Sequence, residues 1–319
     1  MENKNKFNLI TIEELLRKKI TEPRWVIKSL IPETGLIVLS GDPGNGKTWL
    51  SLAIAQAVAS GTPLFGEFEA QQGAVLYIDE ENGDYTLNPR VLKLGIQQDL
   101  PINFLIKEGV KLDKAEVVKE ISELVTNNNI KLIIIDPLAQ VHDGDENSAQ
   151  SIARVIGQIK TLTNLGAAVL LLHHHRKENI SNFNSIAGNK LRGSSVLFAA
   201  IDSHLAISKE ESVIFVKQAK SRQAREIDSF KVELVEEEGV VRLDYLGKVK
   251  KRDSIEEKFE LIKSVLSNKQ LSRQQIIEAL STSYGTEAID KTLRLNVEKR
   301  RLILRRGKSG EYFYSLPEQ

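Results

Sequence analysis

The segment GDPGNGKT, from Gly41 to Thr48, contains residues whose types and spacing could bind a phosphate chain. It matches the pattern G-x-x-x-x-G-K-[ST], in which glycines let backbone N–H groups approach a phosphate without interference from Cβ atoms. The start of a following helix adds partial positive charge. Lys47 is expected to reach the β- and γ-phosphates, and Thr48 to bind Mg²⁺. The spacing therefore predicts a site for a nucleoside triphosphate and Mg²⁺.

Two apolar runs end in carboxylates. KLIIID places Asp136 after four apolar residues, and AVLYI at 74–78 leads into Asp79, Glu80 and Glu81. The carboxyl ends of parallel strands meet at the ligand-binding edge of an α/β sheet. We expect Asp136 to hold Mg²⁺ beside Thr48, and one carboxylate of the second group to orient an attacking water.

Three of the five histidines stand together at positions 173–175, directly after the apolar run AAVLLL. Adjacent imidazoles could indicate a metal site, a purification tag or catalysis. Side chains alternate along a strand, so three rings cannot converge while the strand stays extended. The run is internal, and neither cysteine nor an H-E-x-x-H helix supports zinc. A polar role at the edge of the sheet is the favoured interpretation.

Short apolar runs alternate with amphipathic stretches over most of the chain. Continuous Val/Ile/Leu runs are typical of parallel strands that are buried on both faces. The predicted strands are 36–40, 74–78, 102–106, 131–136 and 167–172, and the predicted helices are 47–59, 84–95, 114–127 and 147–164. Four further runs, HLAIS, VIFVKQ, SFKVELV and VVRLDYL, are expected to extend the sheet as antiparallel strands. The fold class is α/β with a mostly parallel sheet.

Composition is that of an ordinary globular protein, with 319 residues, 41% hydrophobic and 27% charged. No apolar run approaches the roughly 20 residues that cross a bilayer, and the N-terminus lacks the apolar core of a signal peptide. The absence of cysteine excludes disulfides. These features predict a cytoplasmic protein without membrane contact. We divide it into a lead-in at 1–33, an ATPase domain at 34–247 and a small domain at 248–319.

The last 72 residues carry 16 Lys and Arg against 10 Asp and Glu. Their pattern predicts three helices followed by a hairpin, which is typical of a winged helix. Such a domain could contact duplex DNA, or serve protein interaction with a solvated basic surface. The basic residues that would reach DNA are Lys291, Arg294 and Lys299 from the third helix and Arg305, Arg306 and Lys308 from the hairpin.

An ordered set of segments resembles the RecA-like ATPases, and within them the RepA-type and DnaB-type hexameric replicative helicases and related plasmid and phage ATPases. The segments are GDPGNGKT, LYIDEEN, LIIIDPLAQ, LLHHHRK, LRGSSVLFAAID and KQAKSRQ, and the resemblance covers about residues 22–245. It implies a RecA-like P-loop core, ATP and Mg²⁺ as cofactors, a homo-oligomer that is expected to be a hexamer, and single-stranded DNA in a ring channel.

The same resemblance suggests roles for individual residues inside one subunit. Glu81 corresponds to the catalytic glutamate, with Glu80 as the alternative, and Arg90 to a phosphate-contacting arginine. His174 corresponds to a sensor of the γ-phosphate, with His173 as the fallback. The residues assigned to nucleotide binding in the phosphate loop are Gly41, Asp42, Pro43, Gly44, Asn45, Gly46, Lys47, Thr48 and Trp49.

Other implied roles lie between subunits. In such ATPases a neighbour supplies a basic residue to the γ-phosphate, and Arg222 is assigned as this trans arginine finger with Lys220 as its companion. Arg192 is a further candidate for an interfacial phosphate contact. The polar loops 137–150 and 176–190 are candidates for DNA contact, the second with Arg176, Lys177, Lys190 and Phe183. The first loop is acidic, which does not favour DNA.

Three functions fit these observations. The first is a ring-forming, ATP-driven DNA motor, in particular a replicative helicase of a plasmid, phage or other mobile element. The second is an ATP-dependent DNA-binding regulator that does not unwind DNA. The third is a recombination mediator that forms filaments. Lys220 and Arg222 favour the first, since they match a helicase-type interface.

Overall fold

In the computed structural model, the strand that leads into the phosphate loop lies inside a large mixed sheet. The structure describes residues 9–18, 22–145, 148–174, 195–249, 254–267, 269–281, 284–307 and 310–317. The chain divides into two units, 1–249 and 250–319.

The described part of the first unit contributes nine strands to this sheet. They are β3 Leu36–Gly41, β4 Ala74–Asp79, β5 Ile102–Ile106, β6 Ile130–Asp136, β7 Ala168–His174, β8 Ser203–Glu210, β9 Val213–Ser221, β10 Phe230–Glu237 and β11 Val240–Lys248. Their order is β11-β10-β9-β8-β3-β7-β6-β4-β5. Strands β3 to β8 pair in parallel, and β9 to β11 are antiparallel additions. The carboxyl ends of β3, β4, β6 and β7 therefore share one edge.

Helices cover both faces of the sheet, as expected for continuous apolar strands. They are α2 Lys47–Ser60, α3 Asp84–Lys93, α4 Ala115–Asn127, α5 Ala149–Asn164 and α6 Ser195–Ala200. Residues of α2 and α3 join one apolar cluster, and residues of α4, α5 and α6 join the other. Within the described ranges, no helix combines the length and the apolar composition that crossing a membrane requires.

The lead-in contains structure that its sequence did not predict. A short helix, α1 Ile12–Arg17, begins after a capping box in which Thr11 and Glu14 bond each other's backbone N–H groups. The strands β1 Trp25–Ile27 and β2 Ile31–Pro32 then form a small antiparallel pair. Val26 and Ile27 are buried in the core of the first unit, so the lead-in packs against the sheet domain.

One strand direction was predicted wrongly. HLAIS, at 204–208, was expected to be antiparallel to its sheet neighbours, but β8 pairs in parallel with β3 and is antiparallel only to β9. The chain after β7 crosses back to the amino-terminal edge of the sheet, so β8 runs in the direction of β3. Antiparallel pairing begins one strand later, where a short turn joins β8 to β9.

The second unit has three helices and a small sheet. The helices are α7 Ser254–Leu266, α8 Arg273–Leu280 and α9 Thr286–Glu298. The strands are β12 Leu271–Ser272, β13 Ile303–Arg306 and β14 Tyr312–Ser315, in the order β12-β14-β13. Phe259, Ile262 and Leu293 are buried in its own apolar core. The sequence did not predict β12, and the assignment of a winged helix stays a prediction.

Candidate nucleotide-binding site

The phosphate loop joins the end of β3 to the start of α2. Gly44 and Gly46 have φ angles of 82° and 85°, in the left-handed region that favours glycine. A Cβ atom on Gly46 would lie 2.8 Å from Cδ1 of Ile214 on β9, so the loop also packs too closely for a side chain there. The loop thus leads directly into the N-terminal end of a 14-residue helix, a site suited to a phosphate.

Lys47 occupies a buried position at this loop, with 6% of its surface exposed. Its Nζ donates to the carbonyls of Gly41 and Asp42 at 2.9 and 3.1 Å and lies 3.1 Å from Nδ1 of His174. Burial lowers the pKa of the ammonium, while the charges of Asp136, Glu81 and Asp42 raise it in part. A phosphate anion would compensate for the water that this cation has lost.

His174 connects Lys47 with the candidate base. Its Nε2 lies 3.3 Å from Oε2 of Glu81. Because Nδ1 faces an ammonium that can only donate, we assign the ring proton to Nε2, which then donates to Glu81. His173 is 8% exposed and is paired with Ser40 across β3 and β7, so it points away from this contact. The geometry favours His174 over His173 as the sensor, and His175 lies outside the described residues.

Asp136 and Thr48 place two oxygen atoms side by side. Thr48 Oγ1 donates to Asp136 Oδ2 at 3.0 Å, and the same Oδ2 lies 3.3 Å from the Tyr77 hydroxyl. Burial raises the pKa of Asp136 to about 6, and the nearby Asp79 charge contributes. Mg²⁺ prefers oxygen ligands from hydroxyl and carboxylate groups, so this pair fits the ion. Bound Mg²⁺ would also remove the electrostatic reason for the raised pKa.

The sequence did not assign roles to three polar residues around this pair. Asp79 accepts bonds from the backbone N–H groups of Glu81 and Asn82 at 3.0 and 2.6 Å, and from Asn82 Nδ2 at 2.8 Å. Tyr77, which is fully buried, lies 2.7 Å through its hydroxyl from Ser51 Oγ, and burial raises its pKa well above the ordinary range. The order D-E-E-N could have indicated the Asp79 turn, since aspartate commonly bonds the N–H two residues on.

The two candidate glutamates face different partners. Glu80 accepts from the backbone N–H groups of Gly109 and Val110 at 3.2 and 2.9 Å, so it anchors the loop that follows β5. Glu81 has a half-exposed side chain directed at His174. This arrangement supports Glu81 rather than Glu80 as the group that orients a water.

Arg90 and Trp49 meet beside the site. The Arg90 guanidinium lies 5.7 Å from the centre of the Trp49 ring, a cation–π distance, and its Nη1 donates to Asn82 Oδ1 at 3.3 Å. Asn82 Nδ2 in turn lies 3.4 Å from Asp136 Oδ2. Contacts therefore extend from the phosphate-loop helix through Arg90 to the metal-ligand pair.

Lys220 and Arg222 are held at a different place. Lys220 Nζ bonds the carbonyl of Phe198, and the Arg222 guanidinium bonds the carbonyl of Ala199, both at the C-terminal end of α6. Arg222 also lies 3.6 Å from Asp202. Among the described residues, these contacts join the basic pair to α6 rather than to Lys47, so the structure does not bring the pair into its own phosphate loop.

Other predicted positions are only partly described. Arg192 and the whole loop 176–190, with Arg176, Lys177, Phe183 and Lys190, lie outside the described residues, as does Lys308. In the loop 137–150, Asp143 forms ion pairs with Lys111 at 3.2 Å and Lys114 at 3.1 Å. Its acidic charge is thus partly neutralised within the chain.

A family model described as an AAA domain (AAA_25) matches residues 4–179. A solved structure whose title names an ATPase domain is 14% identical with a TM-score of 0.56, over 74% of this chain and 96% of that one. Another, of a DnaB-like replicative helicase and its interactions with primase, is 14% identical with a TM-score of 0.56, over 72% of this chain and 66% of that one. These likenesses show a shared fold and confirm the predicted RecA-like α/β core.

Proposed function

The chain belongs to the AAA domain family AAA_25, and from this premise we propose that it is an ATP-hydrolysing motor that assembles into rings and acts on DNA. The observation that supports this most directly is the contact series from Lys47 through His174 to Glu81. It joins a phosphate-binding cation, a polar sensor and a carboxylate at one edge of a parallel sheet. ATP hydrolysis requires all three kinds of group.

Each residue has a distinct task in the proposed reaction. Lys47 and the backbone N–H groups of the phosphate loop bind the β- and γ-phosphates. Thr48 and Asp136 hold Mg²⁺, which when bound neutralises charge on the phosphate oxygens. Glu81 orients a water in line with the γ-phosphate and accepts its proton.

His174 links the state of the nucleotide to Glu81. Lys47 lies within hydrogen-bond distance of His174 Nδ1, but a γ-phosphate would compete for that ammonium. The imidazole would then be able to donate to the phosphate and to release Glu81 for the water. After hydrolysis the original contacts re-form. His174 is followed closely in the chain by the loop 176–190, which we propose as a DNA contact.

The second half of the proposal concerns the neighbouring subunit. Lys220 and Arg222 bond α6 and not their own phosphate loop, which is the arrangement expected of residues that serve another subunit's site. A trans arginine stabilises developing charge only when the interface is closed, so hydrolysis becomes dependent on assembly. The titles of the similar solved structures name an ATPase domain and a replicative helicase, which supports a motor of this class.

A strand-displacement assay tests the motor function. Forked and blunt duplexes are incubated with protein, ATP and Mg²⁺, and DNA-stimulated ATP hydrolysis is measured in parallel, with Lys47→Ala as the inactive control. We expect stimulation by single-stranded DNA and displacement of forked duplexes. Stimulation without displacement would refute the helicase and favour an ATP-dependent DNA-binding regulator.

Mixing of variants tests the trans assignment. Arg222→Ala and Glu81→Ala proteins each keep one intact half of the interfacial site. We expect each to be inactive alone and the mixture to recover part of the hydrolysis, because some interfaces combine the two intact halves. A mixture as inactive as its components would place Arg222 outside the trans site. Lys47→Ala mixed with Glu81→Ala serves as the control, since both changes damage the same half.

A further inference from the structure

A hydrogen bond between two buried side chains ties the phosphate-loop strand to β8. Ser40 directly precedes Gly41, and its Oγ lies 2.6 Å from Nε2 of His204. Both residues are at most 1% exposed. Hydrogen bonds in such a low-dielectric interior are strong, and breaking one leaves a costly unpaired group. The carbonyl of Gly41 also accepts from Lys47, so movement of this strand end affects both Lys47 and His204.

The ring of His204 also meets α6. Its centre lies 6.1 Å from that of Phe198, with the ring planes at 84°, the edge-to-face arrangement that aromatic rings prefer. The ammonium of Lys220 lies 4.8 Å from the centre of the same Phe198 ring and bonds the Phe198 carbonyl. His204 and Lys220 are also cross-strand partners in β8 and β9. Contacts therefore run without a gap from Ser40 to Lys220.

Arg222 is held by the same helix end. Its guanidinium bonds the carbonyls of Ala199 and Ala200 and lies 3.6 Å from Asp202. The last carbonyls of a helix carry partial negative charge, which offsets the repulsion between two neighbouring cations. Burial lowers the pKa of Lys220, and the charge of Arg222 lowers it further. A shift of α6 would thus move both basic side chains together.

We propose that His204 is a positioning residue that couples the phosphate loop of one subunit to the Lys220–Arg222 pair which that subunit presents to its neighbour. The proposal rests on the trans role assigned to Arg222 under the proposed function. Nucleotide binding displaces the end of β3, the Ser40–His204 bond carries the displacement to Phe198, and α6 sets the reach of the pair. Occupancy of one site then controls hydrolysis at the next, so that neighbouring sites do not act independently.

Variants of the full chain test the coupling. His204→Phe keeps a ring against Phe198 but loses the bond to Ser40, Ser40→Ala removes the other partner, and His204→Gln keeps a polar group near the position of Nε2. Ser203→Ala is the matched control, because it removes a buried hydrogen bond on the same strand, 3.2 Å from Gln218 Nε2. The measurements are kcat for ATP, the Kd of a fluorescent ATP analogue with Mg²⁺, and the melting temperature.

Loss of one buried hydrogen bond should lower kcat about fivefold in His204→Phe and Ser40→Ala, while Kd stays within about twofold. His204→Gln should recover at least half of the lost kcat, and Ser203→Ala should match the parent. A loss of nucleotide affinity with kcat unchanged would overturn the proposal. So would an equal loss of kcat in Ser203→Ala, because the effect would then follow stability alone.

A double-mutant cycle with Arg222→Ala separates the inference from the function on which it rests. If His204 acts through the basic pair, His204→Phe should lower kcat no further in the Arg222→Ala background. Multiplicative losses would overturn the coupling and leave the trans role of Arg222 intact. An Arg222→Ala protein with the kcat of the parent would overturn both.

Discussion

Replacing Asp136 by asparagine should stabilise the protein at neutral pH when no nucleotide is added, although it removes a metal ligand. Burial raises the pKa of this carboxyl from 3.8 to about 6, so its ionised form is disfavoured in the folded state. At about 1.4 kcal/mol per pKa unit, the shift corresponds to about 3 kcal/mol of destabilisation when the group is charged. The amide oxygen of asparagine can still accept from Thr48 and Tyr77. We therefore expect a gain of about 1–3 kcal/mol in the free energy of unfolding.

The gain should depend on pH in a defined direction. Above pH 6 the carboxyl is ionised in both the folded and the unfolded protein, and the full cost is present. Between 3.8 and about 6 the folded state binds a proton that the unfolded state does not, so the cost fades as pH falls. The difference between Asp136→Asn and the parent should thus be largest above pH 7 and small near pH 4.

Urea unfolding followed by tryptophan fluorescence measures this effect in the relevant unit, because both tryptophans, Trp25 and Trp49, lie in residues 1–249. Asp99→Asn is the control, since Asp99 is an exposed carboxyl. Adding Mg²⁺ and ATP should stabilise the parent and not the variant. A variant less stable than the parent at pH 7.5 without nucleotide would refute the claim that Asp136 is a buried charge retained for its function.

Three other outcomes follow from the site and the second unit. Lys47→Ala should abolish ATP hydrolysis with an unchanged circular dichroism spectrum, and retained turnover would contradict the phosphate-loop assignment. Glu81→Ala should lower kcat about 100-fold while nucleotide still binds. Glu80→Ala should chiefly lower stability, by about 1–3 kcal/mol, because two loop N–H groups lose their acceptor; equal losses of kcat would remove the distinction between the two glutamates. Deleting residues 250–319 should weaken duplex DNA binding, more at about 50 mM than at about 200 mM salt, and unchanged affinity would indicate a protein-interaction module.

Local patterns were sufficient to predict most elements of the first unit. The strand at 102–106 was predicted with its observed bounds, and those at 36–40 and 74–78 each extend one residue further. Strands buried on both faces appear as continuous apolar runs, which contrast clearly with the polar turns around them. The phosphate loop was equally accessible, because its function depends on spacing within a single turn.

Contacts between distant segments were beyond this kind of reading. The Ser40–His204 pair joins residues 164 positions apart, and the Tyr77–Ser51 pair depends on how α2 lies on the sheet. Both follow from strand order and helix placement, which hydrophobic periodicity does not specify. The direction of β8 was missed for the same reason, and β12, with two residues, is too short to show any periodicity.

The position of β3 within the sheet also determines where this protein can be cut. The family match ends at residue 179, but β3 obtains one of its two neighbours, β8, from Ser203–Glu210. A fragment that stopped at 179 would leave the backbone N–H and C=O groups along one side of β3 without strand partners. Open strand edges of this kind readily pair with other chains. Such a fragment would aggregate through the strand that carries the phosphate loop, so the segment recognised by ancestry is shorter than the segment that can exist alone in solution.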